Sequence, residues 1–488
     1  MKIKIICALM CMLILLSAAS CGSKDTPDPA VTGNSSETTA ETAPEETSPP
    51  RADSLPEISL DGESYVMLLR EERAFEFYAE DTGDIIDTAV YNRDRSIEER
   101  FECEINYVLK PGLWGSAAEF KSVIRGAVMS GDDAFDIVTG QSNIVQPLNV
   151  EKLFVNLLDM EYIDLTKPYW LESYTEGINL NGEVNTVAGE FAHSSFSNAN
   201  VIYFNKAIMD ENGITYPYED ALNGAWTLDK FITLAESATK DLNGDGVLDG
   251  TDIHGYCSYG NYLQPFFSSC GLEYTEIGDD GRRTLRAPDD QMVDVAERLN
   301  AFCRSEHYIN SIKVYGAEDS QLMEQFMNGK FLFMGMMLEG TETLREMEVD
   351  YGLLPYPKYN EEQERYYDTI LRRYTVAAVP TTAKNPNNSA LILEALASEG
   401  YSDILPKYYE IALKDKYIRD EASSKVLDLI RESLWLEFVD LYYNDLAFSD
   451  FFAGYVESSS GGTFASSYEK NRKSWEGKIE KLYESFEG

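Results

Sequence analysis

Three short runs of sequence, SYVMLL (64–69), EINYV (104–108) and FDIVT (135–139), decide the predicted fold. Each is rich in the β-branched and aromatic residues that strands prefer. The segments between them, 84–101 and 118–129, have the apolar spacing of amphipathic helices. Because strands that alternate with helices form right-handed βαβ units, we expect an α/β fold built around a mostly parallel sheet.

The ends of this sheet are where a ligand is expected. Ligands of parallel sheets bind beyond the carboxyl ends of the strands, so Gln141, which follows the third strand, lies at a candidate binding rim. Beyond about residue 385 the pattern is mostly helical, with predicted helices over residues 389–399, 405–412, 421–438 and 466–486. We expect these late helices to brace one lobe or to cross between two.

Residues 1–21 have the pattern of an export signal, in which two lysines precede a short apolar run and small residues lead to Cys21. Small residues before a cysteine resemble a bacterial lipobox, whose cysteine becomes the acylated N-terminus. We therefore expect a lipoprotein that carries palmitate-type acyl chains on Cys21 and sits on the extracellular face of the cell membrane. An ordinary signal peptide with an incidental cysteine is the alternative.

Residues 22–55 have the composition of a disordered tether. They contain no aromatic residue, and Ser, Thr, Pro, Asp and Glu fill most positions. Such a segment cannot bury enough apolar surface to offset the conformational entropy that ordering would remove. We expect it to link the anchored cysteine to the folded part of the chain.

The charge of the chain excludes two classes of partner. Acidic residues number 84 against 41 basic ones, which gives a formal net charge of -43. This balance repels phosphate backbones and anionic lipid headgroups, so nucleic-acid binding and a polybasic membrane patch are excluded. The three histidines, His193, His254 and His307, are far apart in the sequence, which excludes a histidine-rich zinc site.

Four cysteines follow the export signal and Cys21, namely Cys103, Cys257, Cys270 and Cys303, and none has CxxC spacing. In an exported protein some of them could pair. The sequence leaves open whether they form a disulfide or remain buried thiols.

The sharpest local motif is the loop DLNGDGVLDGTD over residues 241–252. It places oxygen ligands at the positions that an EF-hand calcium loop uses, with glycine at the sharp turn. The ligands would be Asp241, Asn243, Asp245, Val247 through its carbonyl, Asp249 and Asp252. A predicted strand follows the loop in place of an exit helix, so we expect a structural Ca²⁺ and not a calcium sensor. An acidic turn without metal is the alternative.

Several segments resemble, in the same order, the motifs of one bacterial family. They are DTAVYNR (87–93) with IEER (97–100), KPYW (167–170), VIYFNK (201–206), WTLDKF (226–231), FMNGK (326–330), YGLLPYPK (351–358) and YYEIAL (408–413). The likeness extends from about residue 64 to residue 480. It resembles extracellular solute-binding protein family 1, the sugar-type substrate-binding lipoproteins of ABC importers.

The resemblance implies a periplasmic-binding-protein-like α/β fold, in which two mixed α/β lobes are joined by a hinge and the C-terminus is rich in helices. The crossings between the lobes would lie near residues 191–197 and 372–376. The implied limits are residues 60–193 plus 375–404 for lobe 1, and residues 194–372 plus 405–488 for lobe 2 with the C-terminal helices.

A sugar cleft needs aromatic rings for the C–H faces of the sugar and polar groups for its hydroxyls. Aromatic residues make up 12% of the chain. The candidate ligand-binding residues at the crossings and rims are Gln141, His193, Phe196, Tyr259, Glu339, Arg372 and Tyr374, with Trp435 as a platform on the late helices. For each of them, a place in the core or in an ion pair is the alternative.

The resemblance implies a receptor that binds a small neutral solute, a sugar or oligosaccharide, and passes it to the permease subunits of an ABC importer. We expect this receptor to be a monomer. We also expect no enzymatic activity, because the sequence has no GxSxG elbow and Thr341 stands where a P-loop requires lysine. A secreted carbohydrate-active enzyme with paired carboxylates and a display or adhesion lipoprotein are the alternatives.

Overall fold

The structure, a computed structural model, describes residues 51–316, 319–417, 420–459 and 461–487. These residues belong to one compact unit, Pro49–Gly488. The predicted export signal, Cys21 and all but the last five residues of the predicted tether lie outside the described residues. No helix in the described part of the chain is both long and apolar enough to span a bilayer.

The strands are numbered in chain order. They are β1 Ser64–Arg70, β2 Glu104–Lys110, β3 Ile137–Gln141, β4 Asn200–Asn205, β5 His254–Ser258, β6 Thr275–Ile277, β7 Arg283–Leu285, β8 Tyr308–Asn310, β9 Phe331–Met337, β10 Tyr351–Leu354, β11 Asp368–Thr369, β12 Thr375–Ala378 and β13 Leu434–Trp435.

The α-helices are numbered in the same way. They are α1 Ile85–Phe101, α2 Ala117–Ser130, α3 Ser142–Val145, α4 Glu172–Ile178, α5 Ser194–Ser197, α6 Lys206–Glu211, α7 Tyr218–Leu222, α8 Leu228–Ala238, α9 Pro265–Ser269, α10 Asp290–Cys303, α11 Ser311–Tyr315, α12 Asp319–Met327, α13 Gly340–Leu344, α14 Pro386–Glu399, α15 Glu421–Glu432, α16 Phe438–Leu441, α17 Tyr443–Leu446, α18 Phe451–Val456 and α19 Phe464–Ser485. A 3₁₀ helix, Glu71–Glu76, follows β1, and wider π-helical turns form Gly400–Ile404 and Lys407–Tyr417.

Capping residues explain where the main helices begin. Asp84 precedes α1 and accepts the N–H of Ile86, and Thr227 precedes α8 and accepts the N–H of Lys230. Such caps satisfy amide groups that have no partner inside the helix. The helix predicted from the WTLDKF motif therefore begins directly after its threonine.

Lobe 1 contains a four-stranded sheet in the order β12-β3-β1-β2. The strand β1 is parallel to both β2 and β3, and β12 is antiparallel to β3. The three strands of the opening sequence therefore form the parallel sheet that their pattern predicts. Lobe 2 contains a five-stranded mixed sheet in the order β10-β4-β9-β5-β8, whose strand β9 is buried along its whole length.

Between β3 and β12 the chain passes between the two sheets twice. Val187 still bridges to Ala377 of β12 in lobe 1, whereas β4 already belongs to the sheet of lobe 2. On the return, Ile370 bridges to Ala199, and β12 then rejoins lobe 1 at Thr375. We call residues 188–199 the first crossing and residues 370–374 the second crossing. The sequence-based limits of the lobes stay a prediction.

The described end of the predicted tether, residues 51–55, packs on lobe 1. The guanidinium of Arg100 donates two hydrogen bonds to the carboxylate of Asp53, at 2.9 and 3.0 Å. Both side chains are almost fully buried, with 3% and 1% of their surface exposed. The folded part therefore begins a few residues before the predicted limit at residue 60.

The four cysteines of the folded part, Cys103, Cys257, Cys270 and Cys303, are free thiols. Burial raises the pKa of each, to about 11 for Cys103 and about 12 for Cys270. In this structure they are the unpaired thiols that the sequence left open as one alternative.

Candidate functional site

A cavity of about 340 Å³ lies between the two lobes. Arg70 and Gln141 reach it from the carboxyl ends of β1 and β3 in lobe 1, and Met337 reaches it from the carboxyl end of β9 in lobe 2. Arg373 of the second crossing completes its wall. We call this space the charged cavity. Its position at the ends of parallel strands is where α/β proteins bind their ligands.

Arg70 forms part of the wall of the charged cavity and is only 2% exposed. Its Nη2 donates to the carbonyl of Arg373 and to Oγ1 of Thr375, both at 2.8 Å. Burial is the main reason that the pKa of Arg70 falls to about 10. The side chain is therefore held in place by neutral acceptors and remains protonated at neutral pH.

Two ion pairs cross the charged cavity. Arg73 of lobe 1 donates to Glu339 of lobe 2. Arg373 donates to Asp319 at 2.7 Å. Asp319 also accepts the hydroxyls of Tyr259 and Tyr262, at 2.7 and 2.9 Å. These contacts fix guanidinium and carboxylate groups at the wall of the charged cavity, and such groups are donors and acceptors that suit the hydroxyls of a neutral solute.

Two further carboxylates reach the charged cavity. Glu72 accepts the N–H of Gly112 at 3.0 Å. A Cβ at residue 112 would lie 2.5 Å from the Cβ of Arg70, so only glycine allows this close approach. Desolvation and the neighbouring charge of Glu339 raise the pKa of Glu342. Among the described residues that line the charged cavity, none is aromatic.

A second cavity, of about 490 Å³, supplies the aromatic rings. Trp114 of lobe 1 stands on one side, and Tyr443, Phe451 and Trp475 of the C-terminal helices stand on the other. Asn444, Asp450 and Asn471 provide polar groups beside these rings. We call this space the aromatic cavity. Rings next to amides and a carboxylate are what a saccharide needs.

The two cavities adjoin along neighbouring residues. Leu113 contacts the charged cavity, and Trp114 contacts the aromatic one. On the second crossing Arg373 faces the charged cavity, whereas Arg372 lies 4.0 Å from the ring centroid of Tyr443. We call the two cavities together the cleft.

Arg372 is held by two carboxylates of the C-terminal helices, Asp440 and Asp450. Burial alone would lower its pKa, but the charges of Asp440 and Asp450 outweigh that effect and raise it. Arg372 therefore joins the second crossing to the wall of the aromatic cavity as a permanent cation.

A larger cavity of about 530 Å³ lies elsewhere, on the outer face of lobe 1 between α1 and β2. All of its walls come from lobe 1, with Tyr78, Tyr91 and Tyr107 among them. We place the candidate site in the cleft because residues of both lobes, the second crossing and the strand ends meet there.

The structure brings two of the predicted ligand-binding residues, Gln141 and Glu339, to the charged cavity. Arg372 contacts Tyr443 of the aromatic cavity. The other predicted residues are fixed by neighbouring side chains and contact neither cavity. His193 packs between Phe75 and Tyr408, Phe196 against Tyr409, Tyr259 bonds to Asp319, Tyr374 packs against Tyr174, and Trp435 against Tyr367.

Sequence analysis missed Arg70, Arg73, Trp114, Tyr443 and Trp475. Arg70 and Arg73 do carry a signal, since they follow the first strand of the sheet, at the same rim as Gln141. Trp114 lies in a short turn, and Tyr443 and Trp475 lie in helices whose packing the pattern does not disclose.

Carboxylates of the Asp-rich loop accept hydrogen bonds from its backbone. The carboxylates of Asp241, Asp245 and Asp252 accept the N–H groups of neighbouring residues at 2.7 to 3.0 Å. Within the residues that the structure describes, no group of three or more His, Cys, Asp or Glu side chains is arranged to hold a metal ion. The calcium site stays a prediction.

Solved structures resemble this fold. A galacto-N-biose/lacto-N-biose I-binding protein of an ABC transporter from Bifidobacterium longum, solved with lacto-N-biose, has a TM-score of 0.58 at 10% identity, over 86% of this chain and 98% of its own. A sugar transporter structure from Rhizobium etli in an open conformation has a TM-score of 0.57 at 14% identity, over 86% and 99%. A maltose/maltodextrin-binding domain from Bdellovibrio bacteriovorus, bound to maltotriose, has a TM-score of 0.53 at 13% identity, over 86% and 99%.

At these identities the likeness shows a shared fold. It confirms the predicted class, two mixed α/β lobes of the periplasmic-binding-protein type with a helix-rich C-terminus. No family model and no curated protein sequence matches the chain.

Proposed function

We propose that this chain is a solute-binding lipoprotein of extracellular solute-binding protein family 1, which captures a small neutral solute for an ABC importer. The solute is a sugar or oligosaccharide, it is bound without covalent chemistry, and it occupies the cleft between the lobes. The observation that carries the proposal is the pair of adjoining cavities, one lined by charged hydrogen-bonding groups and the other by aromatic rings.

The chemistry of the two cavities is complementary. In the aromatic cavity Trp114 and Tyr443 offer ring faces to the C–H face of a sugar. In the charged cavity the ion pairs Arg73–Glu339 and Arg373–Asp319 offer fixed donors and acceptors to its hydroxyls. A solute that uses both cavities contains more than one sugar ring, because the two kinds of contact lie on opposite sides of the Leu113–Trp114 turn.

The sequence motifs and the solved structures support the same proposal independently. The motifs extend over most of the folded chain in one order, and the fold neighbours include proteins solved with lacto-N-biose and maltotriose. The importer, through its permease subunits, is the proposed partner, and the receptor acts as a monomer. Closure of a hinged cleft would bury the solute, and reopening on the importer would release it.

Isothermal titration calorimetry against a panel of neutral oligosaccharides, combined with chromatography of the same mixtures, tests the function. We expect saturable heat with one saccharide class and no new product. The variant Trp114→Ala is expected to weaken that binding, and Trp435→Ala, which alters a ring outside both cavities, is the matched control. Turnover of a saccharide would show that the protein is a carbohydrate-active enzyme and not a receptor. The absence of heat with every saccharide would favour a display lipoprotein.

We also propose that Cys21 carries the lipid anchor and places the protein on the outer face of the cell membrane. Mass spectrometry of the mature N-terminus is expected to find acyl chains on Cys21. The variant Cys21→Ser should move the protein from the membrane fraction to the medium. If the mature N-terminus is unmodified and lies at another residue, the protein is an ordinary secreted protein without a lipid anchor.

A further inference from the structure

One buried carboxylate contacts both crossings. Glu76 ends the 3₁₀ helix that follows β1, and only 1% of its surface is exposed. Its Oε1 accepts the N–H of Ser194 on the first crossing at 3.0 Å, and its Oε2 accepts the hydroxyl of Thr375, where the second crossing enters β12. The N–H of Thr375 in turn donates to Oγ of Ser194 at 3.0 Å. Glu76 therefore joins the two crossings to lobe 1.

The same carboxylate is linked to the wall of the charged cavity. Oγ1 of Thr375 accepts from Nη2 of Arg70 at 2.8 Å and donates to Glu76. Burial alone would raise the pKa of Glu76, but His193, Arg73 and Arg70 face it and lower the pKa overall. Glu76 is consequently ionised in the folded protein and helps to orient the two arginines that reach the cavity.

The other ends of the crossings are joined to lobe 2. After the end of β9, the N–H groups of Leu338 and Glu339 donate to the carbonyls of Ala199 and Ser197, both at 2.8 Å. The N–H of Leu371 donates to the carbonyl of Asn198, also at 2.8 Å. The first crossing is thus attached to lobe 1 at Ser194 and to lobe 2 from Ser197 onward.

On these two crossings, two short segments lie between the attachments. They are the single turn α5 on the first crossing and residues 372–374 on the second. Hinges are made of a few residues that absorb the change in backbone angles. Arg372 and Arg373 belong to the second segment. Arg373 lines the charged cavity, and Arg372 lies over the ring of Tyr443 in the wall of the aromatic cavity, so bending of this segment acts on residues at the proposed site.

We infer that Glu76 is a positioning residue for solute capture, because it attaches both crossings to lobe 1 and so confines the bending of these two crossings to α5 and residues 372–374. This inference rests on the proposed function, in which the cleft opens and closes. It assigns to Glu76 no contact with the solute; the carboxylate acts through Arg70, Arg73 and the two crossings.

The distance between the lobes in solute-free protein tests this inference. Fluorescent labels are placed through unnatural amino acids at Met129 in lobe 1 and Ile277 in lobe 2, whose side chains are 80% and 65% exposed. The variant Glu76→Gln removes the charge, and Thr375→Val removes only the hydroxyl between Arg70 and Glu76. Glu71→Gln, an exposed glutamate of the same 3₁₀ helix, is the matched control.

We expect one narrow distance distribution in the wild type and in Glu71→Gln. Glu76→Gln and Thr375→Val should each add a second population of about a tenth of the molecules or more. A merely structural role would lower the melting temperature and leave the distribution unchanged. Folded variants with the wild-type distribution would therefore overturn the inference.

No solute is needed for this measurement, so its outcome is separate from that of the calorimetric panel. If no saccharide gives heat in calorimetry but the variants broaden the distance distribution, the proposed function is wrong and the role of Glu76 at the hinge is supported. If a saccharide binds saturably but the variants leave the distance distribution unchanged, the proposed function is supported and the role of Glu76 is wrong. Thr375→Val retains the bond from Ser194 to Glu76 and has nearly the volume of threonine, which makes it the informative variant if Glu76→Gln does not fold.

Discussion

Glu437 predicts how the stability of the C-terminal helices depends on pH. Its carboxylate, 2% exposed, accepts the N–H of Val439 at 2.6 Å at the start of α16 and the N–H of Tyr274 at 3.2 Å. Burial first, and then the charges of Asp440 and Glu273, raise its pKa from 4.5 to about 8. The folded protein therefore holds a proton at Glu437 that the unfolded chain releases.

The sign and size of the effect follow from proton linkage. Because the folded pKa is the higher one, the stabilisation is complete below the unfolded pKa and is lost as the pH rises through the folded pKa. One proton changes the free energy of unfolding by about 1.4 kcal/mol per pH unit. Between pH 5 and pH 8 the wild type should therefore lose about 3.5 kcal/mol relative to Glu437→Gln, which is neutral in both states.

Urea denaturation at several pH values measures this difference. The free energy of unfolding is compared between the wild type, Glu437→Gln and Glu432→Gln, an exposed glutamate of α15 that serves as the control. The difference between the wild type and Glu437→Gln should change steadily across this pH range, and the control should follow the wild type. A difference that does not depend on pH would refute the assignment of a buried, protonated Glu437.

The remaining predictions concern the cleft, the first described residues and the Asp-rich loop. Trp114→Ala should weaken saccharide binding about tenfold, or ~1.4 kcal/mol. The melting temperature should stay unchanged, because the indole is 62% exposed. An unchanged affinity in calorimetry would show that the ring does not contact the solute. Arg100→Met should lower the free energy of unfolding by about 3 kcal/mol, because it leaves Asp53 buried without its partner. The double variant Arg100→Met/Asp53→Leu should recover most of this loss. If urea denaturation shows that the losses of the two single variants add up in the double variant, the buried ion pair does not explain them. If the loop binds calcium with a Kd about ten times below the added concentration, Ca²⁺ should stabilise the wild type by ~1.4 kcal/mol. The variant Asp241→Asn should be stabilised much less. If Ca²⁺ does not shift the melting temperature of the wild type, the loop does not bind the metal.

The opening strands of the fold could be predicted from sequence, because their apolar runs are short and are separated by amphipathic helices. Predicted strands at 64–69 and 104–108 correspond to Ser64–Arg70 and Glu104–Lys110. The late helices were harder to predict. The predicted helix over 421–438 ends at Glu432, since Leu434–Trp435 pairs with β11, a distant partner that local spacing does not reveal.

The candidate site was predictable only where it follows directly from the sheet. Gln141 lies at the carboxyl end of β3, and the strand pattern alone places it at the rim. Trp114 and Tyr443 line one cavity only after the C-terminal helices have packed, and these two residues are 329 positions apart in the sequence. No local pattern carries that information, so the aromatic half of the cleft required the structure.

A crystal structure of the protein with the saccharide selected by calorimetry tests the central claim most directly. We predict electron density between the lobes, with a sugar ring against Trp114 or Tyr443 and hydroxyl groups within hydrogen-bonding distance of Arg73 or Glu339. Density confined to the outer face of lobe 1, between α1 and β2, would contradict a receptor that captures its solute in the cleft.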